Sequence, residues 1–204
     1  MTLKDEFISL LRDNVKRDGV ENLINYLTEQ VDFFNCPAST KYHGSYPGGL
    51  VEHSINVYYC LIDELQFIYG ADWQKMYSME TVAIVSLLHD LCKIGRYRTE
   101  LRNVKDKETG VWETKEVYVY NQDCFHMGHA ALSLHIINKF MILSDEEAQA
   151  IYWHMGGFDI SPYSTTADMG DAFRENTLAF ALHRADMMAT YVPENDKFKP
   201  LPVE

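Results

Sequence analysis

The sequence predicts an all-α fold of about seven helices that is interrupted once by a β-hairpin. Apolar residues recur at helical spacing along most of the 204 residues, and one segment changes to β-branched and aromatic residues on either side of a short polar turn. The length and a hydrophobic content of 47% allow one well-buried core. We therefore expect one compact domain.

Composition restricts the partners of this chain. Acidic side chains outnumber basic ones by 30 to 18, a formal charge of -12, which argues against stable binding of long nucleic acid but allows a small anionic substrate beside a divalent cation. The four cysteines are scattered without C-x-x-C spacing, so reduced thiols are expected. With neither a secretory signal nor a membrane span in the sequence, we expect a soluble cytoplasmic protein that does not bind membranes. The oligomeric state is not predicted.

The chain divides into three parts within that single domain. Residues 1–34 form a helical hairpin packed on the core, and residues 35–192 form the main helical domain, with the β-hairpin inserted at about 96–120. Residues 193–204, which begin at a helix-ending proline, are expected to be a surface tail.

Capping residues define several helix ends. Thr2 caps the first helix and Gly19 ends it, while Ser78 caps the central helix and Gly95 closes it after Lys93. A capping box begins a later helix, at Ser144 and Glu147. After that helix, MGGFDISPYSTTADMG is expected to be a loop that arches over a pocket.

The predicted hairpin has strands at Tyr97–Val104 and Val111–Tyr120 around KDKETG. A local concentration of basic residues lies in and beside it, at Arg96, Arg98, Arg102, Lys105 and Lys107. Most charge runs of this kind only face solvent. Both interpretations of these basic residues stay open: a solvated hairpin, or a hairpin that contacts substrate.

The central helix carries the strongest functional signal. TVAIVSLLHDLCKIG is apolar on nearly every side until His89 and Asp90, so these two side chains are expected to lie inside the protein. Burying an imidazole or a carboxylate without a partner is costly, and a metal ion is one partner that satisfies both.

Four other segments place a ligand-type residue in an apolar helical pattern: His53, His129, His154 and Asp186. Each has an ordinary alternative. A lone histidine is more often a satisfied core residue, and a buried aspartate can cap a helix or pair with a residue such as Arg184.

The ordered set of His, His-Asp, His, His and Asp resembles the HD-domain metal-dependent phosphohydrolases over residues 42–191. The most similar segments, YPGGLVEH, LLHDLCKIG, GHAAL and RAD, are like those of the HD domain of bacterial 3′-to-5′ exoribonucleases. The resemblance implies an HD-domain helical bundle with the hairpin near the mouth of the site. The OB-fold domain of those exoribonucleases has no room in this chain, so processive RNA degradation is not expected.

The resemblance implies that His53, His89, Asp90 and Asp186 hold a divalent metal ion. His129 and His154 would hold a second ion or contact phosphate. The ion would be Mn, Fe, Ni, Zn or Mg, with one or two per chain.

The implied reaction is hydrolysis of a phosphomonoester or phosphodiester, with a nucleotide or short oligonucleotide as the expected substrate. Asp90 would orient the attacking water, and Lys93 would offset charge on the phosphate. Further substrate contacts are expected from polar residues near the site, at Lys41, Tyr42, His43, Arg96 and His126.

One departure from the family pattern lies beside the site, where Cys92 replaces the glycine common in H-D-x-G-K. The H-H-E and G-Y-P signatures of cyclic-dinucleotide phosphodiesterases are absent, as is the acidic pair of guanosine-tetraphosphate hydrolases. Two alternatives stay open. The chain can be a nucleotide sensor without turnover, or a metal-free structural helical protein.

Overall fold

The computed structural model describes residues 1–105, 109–159, 165–195 and 197. This part is mostly helical, with eight α-helices and one two-stranded antiparallel sheet, so the predicted combination of helices and a hairpin is confirmed. The helices are α1 (Leu3–Asn14), α2 (Val20–Asn25), α3 (Gly49–Tyr69), α4 (Met79–Leu88), α5 (His129–Ile137), α6 (Asp145–Trp153), α7 (Thr166–Glu175) and α8 (Thr177–Tyr191). The strands are β1 (Tyr97–Lys105) and β2 (Trp112–Tyr120), paired from Tyr97 with Tyr120 to Lys105 with Trp112.

The N-terminal hairpin forms with different boundaries from those predicted. Thr2 caps α1 in a capping box, as expected, but α1 ends at Asn14 rather than at Gly19. Gly19 has φ 93° and stands immediately before α2. It therefore makes the turn between the helices, a conformation that favours glycine. After α2 the chain continues through a π-helical turn at Tyr26–Gln30.

The core is built around α3. This helix packs against α4 and α8, and α8 also packs against α6 and α7. Every residue from Val82 to Leu88 is buried, which confirms that α4 is a buried helix. None of the helices in the described ranges has both the length and the apolar character of a membrane span.

The end of α4 differs from the prediction. The helix ends at Leu88 and does not continue to Lys93. Asp90 leaves helical geometry at φ -108° and ψ 20°, and Leu91–Lys93 forms a 3-10 turn. The chain therefore bends at the His-Asp pair, and both side chains stay inside, with His89 0% and Asp90 2% exposed.

Two glycines fix the entry to α3. Gly48 has φ 85°, and a Cβ on Gly49 would overlap the carbonyl oxygen of Gly44. The loop is also closed by a hydrogen bond from Leu50 N to Cys36 O, 3.0 Å long. This close approach explains the paired glycines of YPGGLVEH and holds the first turn of the helix that carries His53.

The segment after α6 was predicted as a loop, and that prediction was wrong from Thr166 onward. Gly156–Asp159 forms a 3-10 turn, and α7 starts at a capping box between Thr165 and Asp168. The weakly apolar pattern of α7 hid the helix, although this capping box was visible in the sequence. Residues 160–164 of the predicted loop lie outside the described residues.

An Arg17–Glu147 ion pair joins the N-terminal hairpin to the start of α6. Two hydrogen bonds of 2.7 and 3.0 Å join the guanidinium to the carboxylate, which also accepts from Ser144 N at 2.9 Å. Burial alone would raise the pKa of Glu147, but Arg17 and the Ser144 amide outweigh it and lower that pKa below 4.5. The carboxylate is therefore ionised in the folded protein at neutral pH.

We expect Glu147→Gln to lower the free energy of unfolding by about 1–3 kcal/mol at pH 7, since it weakens a buried ion pair and a capping box. Because the folded-state pKa lies below the 4.5 of an unperturbed glutamate, this contribution is present above pH 4.5 and is lost as the pH falls through the folded value. Urea unfolding of both proteins from pH 7 to pH 3 measures this difference.

The matched control is Glu21→Gln, which removes the exposed Arg12–Glu21 pair. Its effect is expected to be much smaller, because solvent screens that pair. A difference between wild type and Glu147→Gln that stays constant down to pH 3 would contradict the assignment.

Candidate metal centre

The bundle brings together all six ligand-type residues singled out in the sequence. Each has a side-chain nitrogen or oxygen within 3.7 Å of one on another member of the group. They come from five segments of the chain: His53 on α3, His89 and Asp90 after α4, His129 on α5, His154 at the end of α6, and Asp186 on α8. We call these six residues the His-Asp cluster.

Asp90 lies at the centre of the His-Asp cluster. Its Oδ1 is 2.8 Å from His129 Nε2 and 3.6 Å from His154 Nε2, and its Oδ2 is 3.5 Å from His89 Nε2. Lys93 Nζ lies 2.5 Å from the same Oδ2. His53 Nε2 is 3.7 Å from Oδ2 as well, so five cationic or potentially cationic groups surround one buried carboxylate.

Two of the histidines are oriented by the same local device. His89 follows the last residue of α4, and its Nδ1 lies 2.7 Å from the carbonyl oxygen of Ser86. His154 follows α6, and its Nδ1 lies 2.6 Å from Ile151 O. Both carbonyls belong to the last turn of a helix, where they lack intrahelical partners. Because a carbonyl only accepts, each Nδ1 carries the proton, and each Nε2 presents a lone pair to the cluster.

His53 is oriented by a carboxylate instead. Its Nδ1 lies 3.0 and 3.1 Å from the two oxygens of Glu194, which also accepts from Asn56 Nδ2 at 3.0 Å. The Glu194 side chain is 3% exposed. The carboxylate therefore fixes the proton on Nδ1 and directs His53 Nε2 toward Asp186, 3.2 Å away.

Three buried imidazole nitrogens of the His-Asp cluster lack a hydrogen bond among the described residues: Nε2 of His53, of His89 and of His154. Nε2 of His43, beside the cluster, lacks one too. The approach of His53 Nε2 to Asp186 is close, but it does not have hydrogen-bond geometry. Buried polar atoms without partners are rare in folded proteins. Three that converge on two carboxylates have the donor set of a divalent metal site.

Charge points to the same conclusion. Asp90, Asp186 and Glu194 are three buried carboxylates, and Lys93 is the one lysine among them, so the group carries two uncompensated negative charges when the histidines are neutral. Leaving such charges unpaired inside a protein is strongly unfavourable. One divalent cation would neutralise the group.

The protonation states agree with ionised oxygen donors. Burial alone would raise the pKa of Asp90 and of Asp186, but Lys93 beside the first and His53 beside the second hold both pKa values well below the usual range. Burial lowers the pKa of His89 to about 3. Burial also acts to lower the pKa of His53, but its neighbouring carboxylates outweigh it and raise that pKa to about 10. In the protein alone, a proton on His53 therefore supplies part of the missing positive charge.

His129 differs from the other histidines. Its Nε2 is bonded to Asp90, and its Nδ1 lies 3.3 Å from the Sγ of Cys92, so both ring nitrogens have partners. The side chain is also 18% exposed, whereas His154 is 0% exposed. The structure thus separates two residues that the sequence treated as a pair.

The other predicted substrate contacts lie in different places. His43 is near the cluster, with its ring centroid 4.9 Å from that of His53, and burial lowers its pKa to about 4. Tyr42 is 77% exposed, with the Lys41 ammonium over its ring. His126 bonds to the backbone oxygen of Gln122 in an exposed segment. Arg96 lines a separate cavity.

Asp186 does not pair with Arg184, one of the alternatives open from the sequence. Arg184 NH2 instead lies 3.2 Å from Glu64 Oε1. Asp186 faces His53 and, with His89 and His154, forms a group whose donor atoms lie within 4.8 Å of one another. The loop after α6 supports this arrangement, because a Cβ on Gly156 would collide with the ring of His183, which bonds to His154 O at 2.7 Å.

Comparison with known proteins adds no assignment. No family model, no curated protein and no solved structure matches this chain.

The contact between Glu194 and His53 was not predicted from the sequence. Glu194 follows Pro193, where the sequence predicted a surface tail, and no helical or motif spacing relates it to His53, 141 positions earlier. The available signal was indirect. A buried histidine needs a partner for each ring nitrogen. His89 and His154 each use a backbone carbonyl one turn earlier in the chain, but His53 lies within α3, where the helix uses those carbonyls, so its partner had to come from elsewhere.

We expect Glu194→Ala to weaken binding of a divalent metal by about 10- to 100-fold, with Glu194→Gln intermediate, because the carboxylate orients His53 and increases its basicity. Titration of the metal-free protein with Zn²⁺ or Mn²⁺ measures this affinity. Asp63→Asn is the control, since it removes one negative charge from the exposed face of α3. Equal affinities for wild type and both Glu194 variants would contradict the role given to Glu194.

Proposed function

We propose that this chain is a metal-dependent phosphohydrolase with an HD-domain fold. The observation that carries the proposal is the convergence of three partnerless imidazole nitrogens on two buried carboxylates with a lysine beside them. Acid–base or nucleophilic chemistry alone does not require three buried imidazoles with the same nitrogen facing inward. Metal ligation does.

His53, His89, Asp90 and Asp186 would hold the ion, and His154 is positioned beside them. When bound, a divalent ion supplies a hydroxide near neutral pH and polarises a phosphoryl oxygen. The mixture of nitrogen and oxygen donors favours Mn, Fe, Ni or Zn over Mg, which prefers oxygen ligands.

The residues of the chain would have three roles in hydrolysis. Asp90 orients the attacking water, because this carboxylate is ionised and central to the cluster. Lys93 stabilises negative charge on the phosphate oxygens. His129, partly exposed at the edge of the cluster, exchanges its hydrogen bond to Asp90 for one to the phosphate or to the leaving group.

The charge of the chain restricts the substrate. With a net charge of -12, the protein repels a long polyanion, but a small phosphate ester carries few charges. We therefore infer that the substrate is a small phosphorylated molecule such as a nucleotide or a short oligonucleotide.

We expect the purified chain to contain a divalent transition metal, and His89→Ala and Asp90→Ala to lose it. We also expect the metal-loaded protein to release phosphate or a mononucleotide from small phosphate esters. Elemental analysis and turnover of a panel of nucleotides and of 4-nitrophenyl phosphate with Mn²⁺, Fe²⁺, Ni²⁺ and Zn²⁺ measure the two properties.

Lys93→Gln separates binding from catalysis. It should keep the metal, since it removes a positive charge from the cluster, and lose turnover by about 10²–10³-fold. Metal content near zero in wild type, with no uptake in titration, would reject the site. A loaded protein that turns over nothing in the panel would instead favour a nucleotide sensor.

The number of ions is predicted to be one. One divalent cation balances the two surplus negative charges, and both ring nitrogens of His129 already have partners. We therefore expect His129→Ala to keep metal content at about one per chain, and His154→Ala to weaken metal binding. A fall from about two ions to about one in the double His129→Ala, His154→Ala variant would establish a two-metal site instead.

A further inference from the structure

A candidate ligand site of a different kind lies beside the His-Asp cluster. It is a cavity of about 350 Å³ between the base of the β-hairpin, the 3-10 turn after α4 and one face of α5. Its basic side chains are Arg96, His135 and Lys139. The volume falls at the lower end of the range for small-molecule sites.

The charge of this cavity is opposite to that of the protein. None of the described residues that line it is acidic, although the chain has 30 acidic residues and a net charge of -12. Arg96 and Lys139 form no ion pair with a carboxylate in the described part of the chain. Two unpaired cations and a histidine in one recess form a local site for an anion.

The remaining wall is apolar and aromatic. Phe125 is 65% exposed and lies parallel to the His135 ring, at 6.0 Å between centroids and 22° between planes. Leu132 and Ile136, one turn apart on α5, are buried beneath it. An exposed aromatic face above an apolar floor favours a planar ring as part of the ligand.

The cavity is separate from the metal centre but shares one wall with it. No member of the His-Asp cluster lines the cavity. Cys92 does, and its Sγ also lies 3.3 Å from His129 Nδ1 and 3.9 Å from Asp90 Oδ1. A molecule in this cavity would therefore be separated from His129 by the buried Cys92.

We propose that this cavity binds a small anion joined to a planar ring, such as an aromatic phosphate ester or an aromatic carboxylate. Arg96 and Lys139 bind the anionic group, and Phe125 stacks on the ring. The proposal does not depend on metal binding or hydrolysis, since none of the three residues belongs to the His-Asp cluster.

The test is isothermal titration calorimetry of the full chain in the presence of a chelator, which removes the proposed metal chemistry. Phenyl phosphate, benzoate, inorganic phosphate and phenol are the four probes. We expect at least one of the two ring-bearing anions to bind more tightly than inorganic phosphate and phenol. Binding of phenyl phosphate alone identifies a phosphate ester site, and binding of benzoate alone identifies a carboxylate site.

Variants of exposed or half-exposed residues locate the binding without disturbing the core. Arg96→Gln and Lys139→Gln should each lower affinity by about tenfold, the effect of losing one charged hydrogen bond. Phe125→Ala should weaken binding of the ring-bearing anion and leave that of inorganic phosphate unchanged. Arg98→Gln, in the same hairpin but paired with Glu100, is the matched control and should bind as wild type does.

Three results would overturn the proposal. The first is absence of binding by both ring-bearing anions at millimolar concentration. The second is full affinity in the double Arg96→Gln, Lys139→Gln variant. The third is loss of binding in His129→Ala with retention in that double variant, which would place the ligand at the His-Asp cluster.

Discussion

Three carboxylates buried with one lysine are the constraint on which the centre of this bundle depends. Asp90 enters from the turn after α4, Asp186 from α8 and Glu194 from the segment beyond α8, so the electrostatic problem arises only when the helices come together. Burial penalises each ionised group, and mutual repulsion adds to that penalty. The packed state therefore needs a cation, either a proton on His53 or a metal ion bound to the lone pairs of several histidines. A bound ion would lower the free energy further, because it would also give the partnerless nitrogens a partner.

The ends of α4 and α6 fix the orientation of His89 and His154 in the protein alone. A helix that stops inside a protein leaves carbonyls without partners, and in α4 and α6 the histidine that follows the helix donates to one of them. The same contact satisfies the backbone and selects the tautomer. His53 sits within α3, where the carbonyls are used by the helix itself, so its orientation requires the external carboxylate of Glu194. The position of each histidine in its helix thus decides whether a backbone carbonyl or a carboxylate orients its ring.

Local sequence patterns predict much of this architecture. The features that they do not predict depend on contacts between residues far apart in the sequence. His89 and Asp90 could be found because polar residues at the end of an all-apolar helix must be buried, and periodicity alone shows that. The capping boxes of α1 and α6 were equally visible. Glu194 was not, since nothing local distinguishes a carboxylate in a proline-containing terminus from a solvated one. Tyr42 and His126 lie near His53 and His129 in sequence, but Tyr42 is 77% exposed and His126 bonds to the backbone oxygen of Gln122 in an exposed segment.

Cys92 lies between the cavity on α5 and the His-Asp cluster. This buried residue lines the cavity on α5, and its Sγ lies 3.3 Å from His129 Nδ1 and 3.9 Å from Asp90 Oδ1, so it fills the space between the cavity and the His-Asp cluster. A glycine there, as in the H-D-x-G-K pattern, would provide no such wall. The larger residue therefore separates the sites physically while leaving one contact through which they can influence each other. Any coupling must be reciprocal: if a ligand in the cavity changes metal affinity by shifting Cys92 and His129, the metal changes affinity for that ligand by the same factor.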